Sequence, residues 1–89
     1  MIIRKILISV EVQEKIFKKH DIQREEIEKV LVSEPYFFHA RHKRYIAIGF
    51  IGKYITVVFD FDKGNAYVVT AYSSSQWQKE LYLVKKWKK

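Results

Sequence analysis

The hydrophobic pattern of this chain changes from helical period to period two at Glu34-Pro35. In the segment just before that step, Val10–Val32, apolar residues recur at helical spacing, and in the segment after it, to Tyr72, at strand spacing. An all-helical or all-β fold is therefore excluded, and an α+β domain is expected. The residue preceding proline avoids helical backbone angles, so a helix has to stop there. Upstream, Ile2–Ile8 has the aliphatic, β-branched content of a short strand, and Ser9 can cap a following helix. In Val10–Lys19 the positions Val12, Ile16 and Phe17 share one face, with Lys18, Lys19 and His20 at the end where cations suit the helix dipole. Gln23 and Glu26 have the spacing of a capping box for a second helix, Arg24–Val32. Its apolar face is Ile27, Val30 and Leu31, with Ile22 and Ile27 as the hydrophobic staple, and the two helices read as a hairpin.

Downstream of Pro35, strands are expected at Arg44–Phe50, Lys53–Phe61 and Ala66–Tyr72, an antiparallel meander of three to four strands. A tight turn at Ile51-Gly52 pairs Phe50 with Lys53 and sends Ile46, Ile48 and Phe50 to the same core face as Ile55, Val57 and Phe59. A three-residue turn at Asp62-Lys63-Gly64 pairs Phe61 with Asn65. It directs Tyr67, Val69 and Ala71 to the core and Thr70 and Tyr72 outward, and a one-residue change of loop length would exchange those faces. Ser73, Ser74 and Ser75 compete to cap a last helix, Ser74–Lys86, whose Trp77, Leu81 and Val84 are expected to pack on the sheet.

With 89 residues the chain makes one domain, 1–89. It has no cysteine, so neither a disulfide framework nor a thiolate metal site is available. The longest apolar run is too short for a bilayer, and Glu11, Gln13 and Glu14 interrupt any secretory signal. A soluble, cytoplasmic protein with no membrane partner is expected. The net charge of +7 is unevenly placed: residues 1–35 hold seven Lys/Arg and seven Asp/Glu, whereas residues 36–89 hold ten and three. Such an excess favours a polyanionic partner, either nucleic acid or an acidic protein segment.

Metal and nucleophile chemistry find little support. His39 and His42 are three apart but precede a strand, His20 has no carboxylate at a matching offset, and four ligands are not assembled, so no metal and no cofactor are expected. No serine has a legible neighbouring base, and Gly49, Gly52 and Gly64 are isolated rather than part of a phosphate loop. The residues suit RNA better. Attack of a 2′-hydroxyl on the adjacent phosphate needs only a base, an acid and cations. His20, His39 or His42 can move protons, Tyr67, Tyr72 and Tyr82 can stack or donate, and Arg44 can hold a phosphate bidentately. Arg41, His42, Lys43 and Arg44 are expected to form a polyanion-facing rim. Lys79 and the basic run Lys85-Lys86-Trp87-Lys88-Lys89, with its aromatic residue, are further RNA contacts.

An ordered set of short motifs runs from about Ser9 to Tyr82: Lys19-His20-Asp21-Ile22, Glu25-Glu26-Ile27, Glu34-Pro35, Lys43-Arg44-Tyr45 with Ile48-Gly49, Val57-Val58, Thr70-Ala71-Tyr72, and Lys79-Glu80-Leu81-Tyr82. The set resembles the BrnT family of ribonuclease toxins, which have a RelE-like fold. The resemblance implies a toxin of a type II toxin–antitoxin system that cleaves RNA without a metal, with mRNA on the ribosome as one target. It also implies a small DNA-binding antitoxin as partner, in a homodimer or a toxin–antitoxin hetero-oligomer. By the same resemblance His20, Arg44, Tyr72 and Glu80 would form the catalytic site. The chain departs from the family at Tyr67 and Tyr72, where the family keeps arginines, and at Leu81, where a Glu-Arg pair becomes Glu80-Leu81. Related small domains end their sheet much as Val68-Val69-Thr70-Ala71-Tyr72 does here. Two other readings remain: a non-catalytic RNA-binding module of the same fold, and an interaction protein that docks an acidic partner.

Overall fold

The computed structural model describes residues 1–87, without the side chain of Trp87; Lys88 and Lys89, counted above among the RNA contacts, lie outside the described residues. The elements run β1 (Lys5–Leu7), α1 (Val10–His20), α2 (Arg24–Val32), β2 (Tyr36–Arg41), β3 (Arg44–Phe50), β4 (Tyr54–Asp62), β5 (Asn65–Ser73) and α3 (Gln76–Trp87). The class is α+β, as the change of period requires. The five strands form one sheet in the order β1-β5-β4-β3-β2.

Both N-terminal helices start as their caps dictate. The Ser9 hydroxyl accepts from the Val12 N–H at 3.1 Å, and the Glu26 carboxylate reaches back to the Gln23 N–H at 2.9 Å. Asp21 ends α1 in the left-handed region, φ 55°. Ile16, Ile22, Ile27, Val30 and Leu31 are buried against Ala47, Ile55, Val57, Phe59, Ala66, Val68 and Ala71, and this is the main core.

The sheet differs from the expected meander in four ways, each with a local cause. First, β1 is shorter than Ile2–Ile8 and runs parallel to β5, pairing Lys5 with Asn65 and Leu7 with Tyr67, so the sheet is mixed. Second, Tyr36–Arg41 adds a strand, and His42-Lys43 becomes the turn of a β2–β3 hairpin in which Arg41 pairs with Arg44. Third, Phe50 pairs with Tyr54 rather than Lys53, because Ile51, Gly52 and Lys53 all belong to the loop. That one-residue shift puts Ala47 and Gly49 on the main core face and turns Ile46 and Ile48 to the opposite face.

The fourth difference is a shift that corrects itself. The β4–β5 turn has only Lys63 and Gly64 at its tip, with φ 50° and 86°, the positive angles of a type I′ turn, and pairs Asp62 with Asn65. Ala66 and Val68 therefore face the core and Tyr67 does not. A bulge then leaves Val69 without a partner between Phe59↔Val68 and Val58↔Thr70. The extra residue restores parity, so Ala71 is buried while Thr70 and Tyr72 face outward, as the sequence predicts.

Helix α3 covers part of that outward face. Its packing side is not Trp77-Leu81-Val84: Trp77 and Val84 are exposed, while Gln78 is 3% exposed. A buried hydroxyl on β4 selects the rotation. Thr56 is fully buried and bonds both Ser74 and Gln78, which turns the neighbouring Trp77 to solvent.

At Gly49 helix α2 and the Pro35 step lie close against the sheet. A Cβ built there would lie 2.9 Å from Val30 Cγ1 and 3.4 Å from Pro35 Cβ. Gly49→Ala is expected to lower stability by about 1–3 kcal/mol through overpacking, measured as a reduced urea midpoint with an unchanged m-value.

Candidate functional site

Arg41, His42, Lys43 and Arg44 form the tip of the β2–β3 hairpin, and two of their cations are already matched. The Arg44 guanidinium holds Asp60 through two bonds, Nε to Oδ1 at 2.8 Å and Nη2 to Oδ2 at 3.1 Å, and Lys43 Nζ lies 3.4 Å from Asp62 Oδ1. Three cations thus face two carboxylates, so the rim is far less positive than its sequence. The bond to Arg44 holds the Asp60 carboxyl below its ordinary value of 3.8, and that carboxylate in turn raises the Arg44 pKa. His39 Nε2 lies 2.6 Å from the His42 carbonyl and its ring stands 4.9 Å from that of Tyr45, so His39 braces the turn. Tyr67 belongs to the same end of the sheet: it pairs with Asp60 and is exposed, and its hydroxyl accepts from Asn65 at 3.3 Å.

A second cluster lies four residues further along β4. At about 3.3 Å per residue the step from Asp60 to Thr56 is about 13 Å. Tyr72 pairs with Thr56, and its ring centre stands 6.1 Å from that of His20, the last residue of α1. Strand β1 covers β5 only at Asn65–Tyr67, so α1 instead flanks the rest of that edge. A cleft of about 200 Å³ opens there, lined by Lys15, Lys19, His20, Val69 and Thr70 among others. Lys15, Lys19 and Thr70 were not among the sequence candidates. The repeated lysine spacing on α1 was the available signal, but it says nothing until β5 is known to end beside that helix.

The expected four-residue catalytic set does not assemble. His20 and Tyr72 come together. Arg44 sits at the distant hairpin end, held by Asp60. Glu80 is exposed, accepts from the Gln76 amide at 3.3 Å, and lies about 200° around the helix from Gln78, the residue that faces Tyr72. Lys79 is used within the fold, its Nζ lying 5.9 Å from the centre of the Tyr54 ring, against which Tyr82 also packs at 5.8 Å. Lys85 and Lys86 are in the last turn of α3, and Trp87 ends it. Among the described residues no group of three or more His, Asp or Glu side chains is placed to hold a metal ion, and no helix is long and apolar enough to cross a membrane.

No protein-family model matches the chain, and no curated protein matches it by sequence. Among solved structures it is similar to the Brucella abortus ribonuclease toxin BrnT, with a TM-score of 0.66 and 26% identity over 81% of this chain and 97% of that one. The chain has a BrnT-like fold. Within that BrnT-like frame Tyr67 and Tyr72 lie on the same face of β5, opposite Asp60 and Thr56.

The Arg44–Asp60 pair gives a direct check of the hairpin geometry. The folded Asp60 pKa lies below the unfolded one, so the pair's stabilisation is present above the ordinary value of 3.8 and is lost as pH falls through the lower folded value. In Arg44→Ala the Asp60 carboxyl, followed by carbon NMR, is expected to titrate at higher pH than in the wild type. An unchanged midpoint would mean that the pair does not form in solution.

Proposed function

We propose that this protein is a metal-independent endoribonuclease of the toxin type, with His20 and Tyr72 as the proton-transfer pair. One juxtaposition carries the reading: an imidazole and a phenol meet beside a lysine-lined cleft, on a fold shared with a ribonuclease toxin. An imidazole suits removal of the proton from a ribose 2′-hydroxyl, and a phenol O–H suits its delivery to the leaving 5′-oxygen. The 2′-oxygen–phosphorus bond forms as the phosphorus–5′-oxygen bond breaks. The products are a 2′,3′-cyclic phosphate and a free 5′-hydroxyl, and solvent then returns the proton from His20 to Tyr72. Lys15 and Lys19 offset the charge that grows on the phosphoryl oxygens.

A single strand running from this centre across the open half of the sheet reaches Tyr67, on which a base can stack, and then the hairpin of Arg41, His42 and Lys43. Arg44 joins that contact only by sharing its guanidinium with Asp60. A toxin of this type acts in the cytoplasm and is held in check by a small antitoxin protein as partner. The tyrosines at family arginine positions, Tyr67 and Tyr72, favour a second reading, RNA binding without cleavage.

Incubation of the purified protein with total RNA and with a translating extract, both in EDTA, separates the two. New 5′-hydroxyl ends are expected in one or both, with rates lowered about 10²- to 10⁴-fold in His20→Ala and in Tyr72→Phe. Intact RNA together with tight, steeply salt-dependent binding would establish the second reading instead.

A further inference from the structure

The polar cluster beneath α3 has a hydrogen-bond direction that its own chemistry dictates. Thr56 is fully buried, Gln78 is 3% exposed and Ser74 6%. The Ser75 N–H lies 2.9 Å from one terminal atom of the Gln78 side chain. A backbone N–H can only donate, so that atom is the amide oxygen, Oε1, and the usual ambiguity of an amide flip is removed. Thr56 Oγ1 stands 3.0 Å from the same Oε1, so the threonine proton goes there. With that proton committed, the 2.7 Å contact between Thr56 and Ser74 has Ser74 as donor. The other terminal atom of Gln78 is then Nε2, which has only protons to offer and lies 3.1 Å from the Tyr72 hydroxyl.

The Tyr72 oxygen therefore accepts from Gln78, and its own proton points elsewhere. We propose that Gln78 is a positioning residue for Tyr72: pinned by Ser75 and Thr56, its amide holds the phenol oxygen as an acceptor and keeps the phenol proton free for the leaving 5′-oxygen. The inference rests on the reading of Tyr72 as the proton donor in RNA cleavage. Gln78, Thr56 and Ser74 are too buried to touch RNA, so they act only through Tyr72. The stretch Ser75-Gln76-Trp77-Gln78 has the spacing of a capping box, and Gln78 answers the Ser75 N–H as that motif requires. One side chain thus starts the helix and orients the phenol.

Gln78→Glu separates this role from mere packing, because it keeps the shape and the cap while reversing one bond. The ionised carboxylate of that variant accepts from Ser75 and Thr56, and its second oxygen can only accept from Tyr72, which commits the phenol proton to the carboxylate. At neutral pH kcat is expected to fall about ten- to a hundredfold with KM and RNA affinity unchanged. Measured against the wild type at the same pH, so that the effect of pH on the base is common to both, the deficit is expected to shrink as pH falls and the carboxyl protonates, since a protonated carboxyl donates to the phenol as the amide did.

Three other outcomes count against the inference. If Tyr72→Phe is inactive but Gln78→Glu matches the wild type at every pH, the positioning role is overturned and the functional reading stands. If Gln78→Glu folds yet loses activity equally at every pH, the bond direction is not what matters, and the role is again overturned. If Tyr72→Phe cleaves as fast as the wild type, Tyr72 is not the donor, and the functional reading fails together with the inference.

Discussion

Strand β4 is buried on both sides at its centre, and one of the three buried residues there is a threonine. Ile55 and Val57 face the two N-terminal helices, while Thr56 points the other way, fully buried. A buried hydroxyl without a partner costs about 1–3 kcal/mol, so whatever covers this face has to bring polar atoms to Thr56. Helix α3 does so with Gln78, and Ser74 supplies the second bond. The rotation of α3, the exposure of Trp77 and the orientation of Tyr72 all follow from that requirement. Among the described residues no buried polar side-chain atom lacks a partner.

The same constraint explains which parts of the molecule the sequence reveals. Both N-terminal helices are specified locally: Ser9, Glu26 and Pro35 act within a few residues of themselves, and Ile27, Val30 and Leu31 mark a single buried face. The sheet is specified by register, which local pattern determines poorly when both faces are covered. Ile46 and Ile48 look like core residues and are packed, but on the other face from the main core. Tyr36-Phe37-Phe38 shows no alternation because an edge strand half-buried on both sides has no polar side to show. The turn at Lys63-Gly64 and the bulge at Val69 shift the register in opposite senses, so Tyr67 is misplaced by its pattern while Tyr72 is not.

Charge is legible as a total and misleading as a location. The segment count assigns all of the excess to residues 36–89, yet Lys43 and Arg44 of the hairpin cluster there meet Asp62 and Asp60 across the sheet. The balanced first segment, by contrast, contributes Lys15 and Lys19 to the cleft beside His20 and Tyr72. Opposite charges close in sequence are not always close in space, and β5 ends its pairing with β1 early enough for α1 to present those lysines. Four residues named as one catalytic set thus separate into the neighbouring rings of His20 and Tyr72, a braced hairpin arginine and an exposed glutamate on the far side of α3.

The proposed RNA site is tested most directly by amide and ring NMR of the protein titrated with a short RNA carrying 2′-O-methyl groups, which cannot be cleaved by 2′-hydroxyl attack. The largest shifts are expected on His20, Tyr72, Lys19 and Thr70, with smaller ones at Tyr67 and the 41–44 hairpin. Shifts confined to the hairpin, with His20 and Tyr72 unmoved at saturation, would place the site elsewhere and overturn the assignment of the proton-transfer pair.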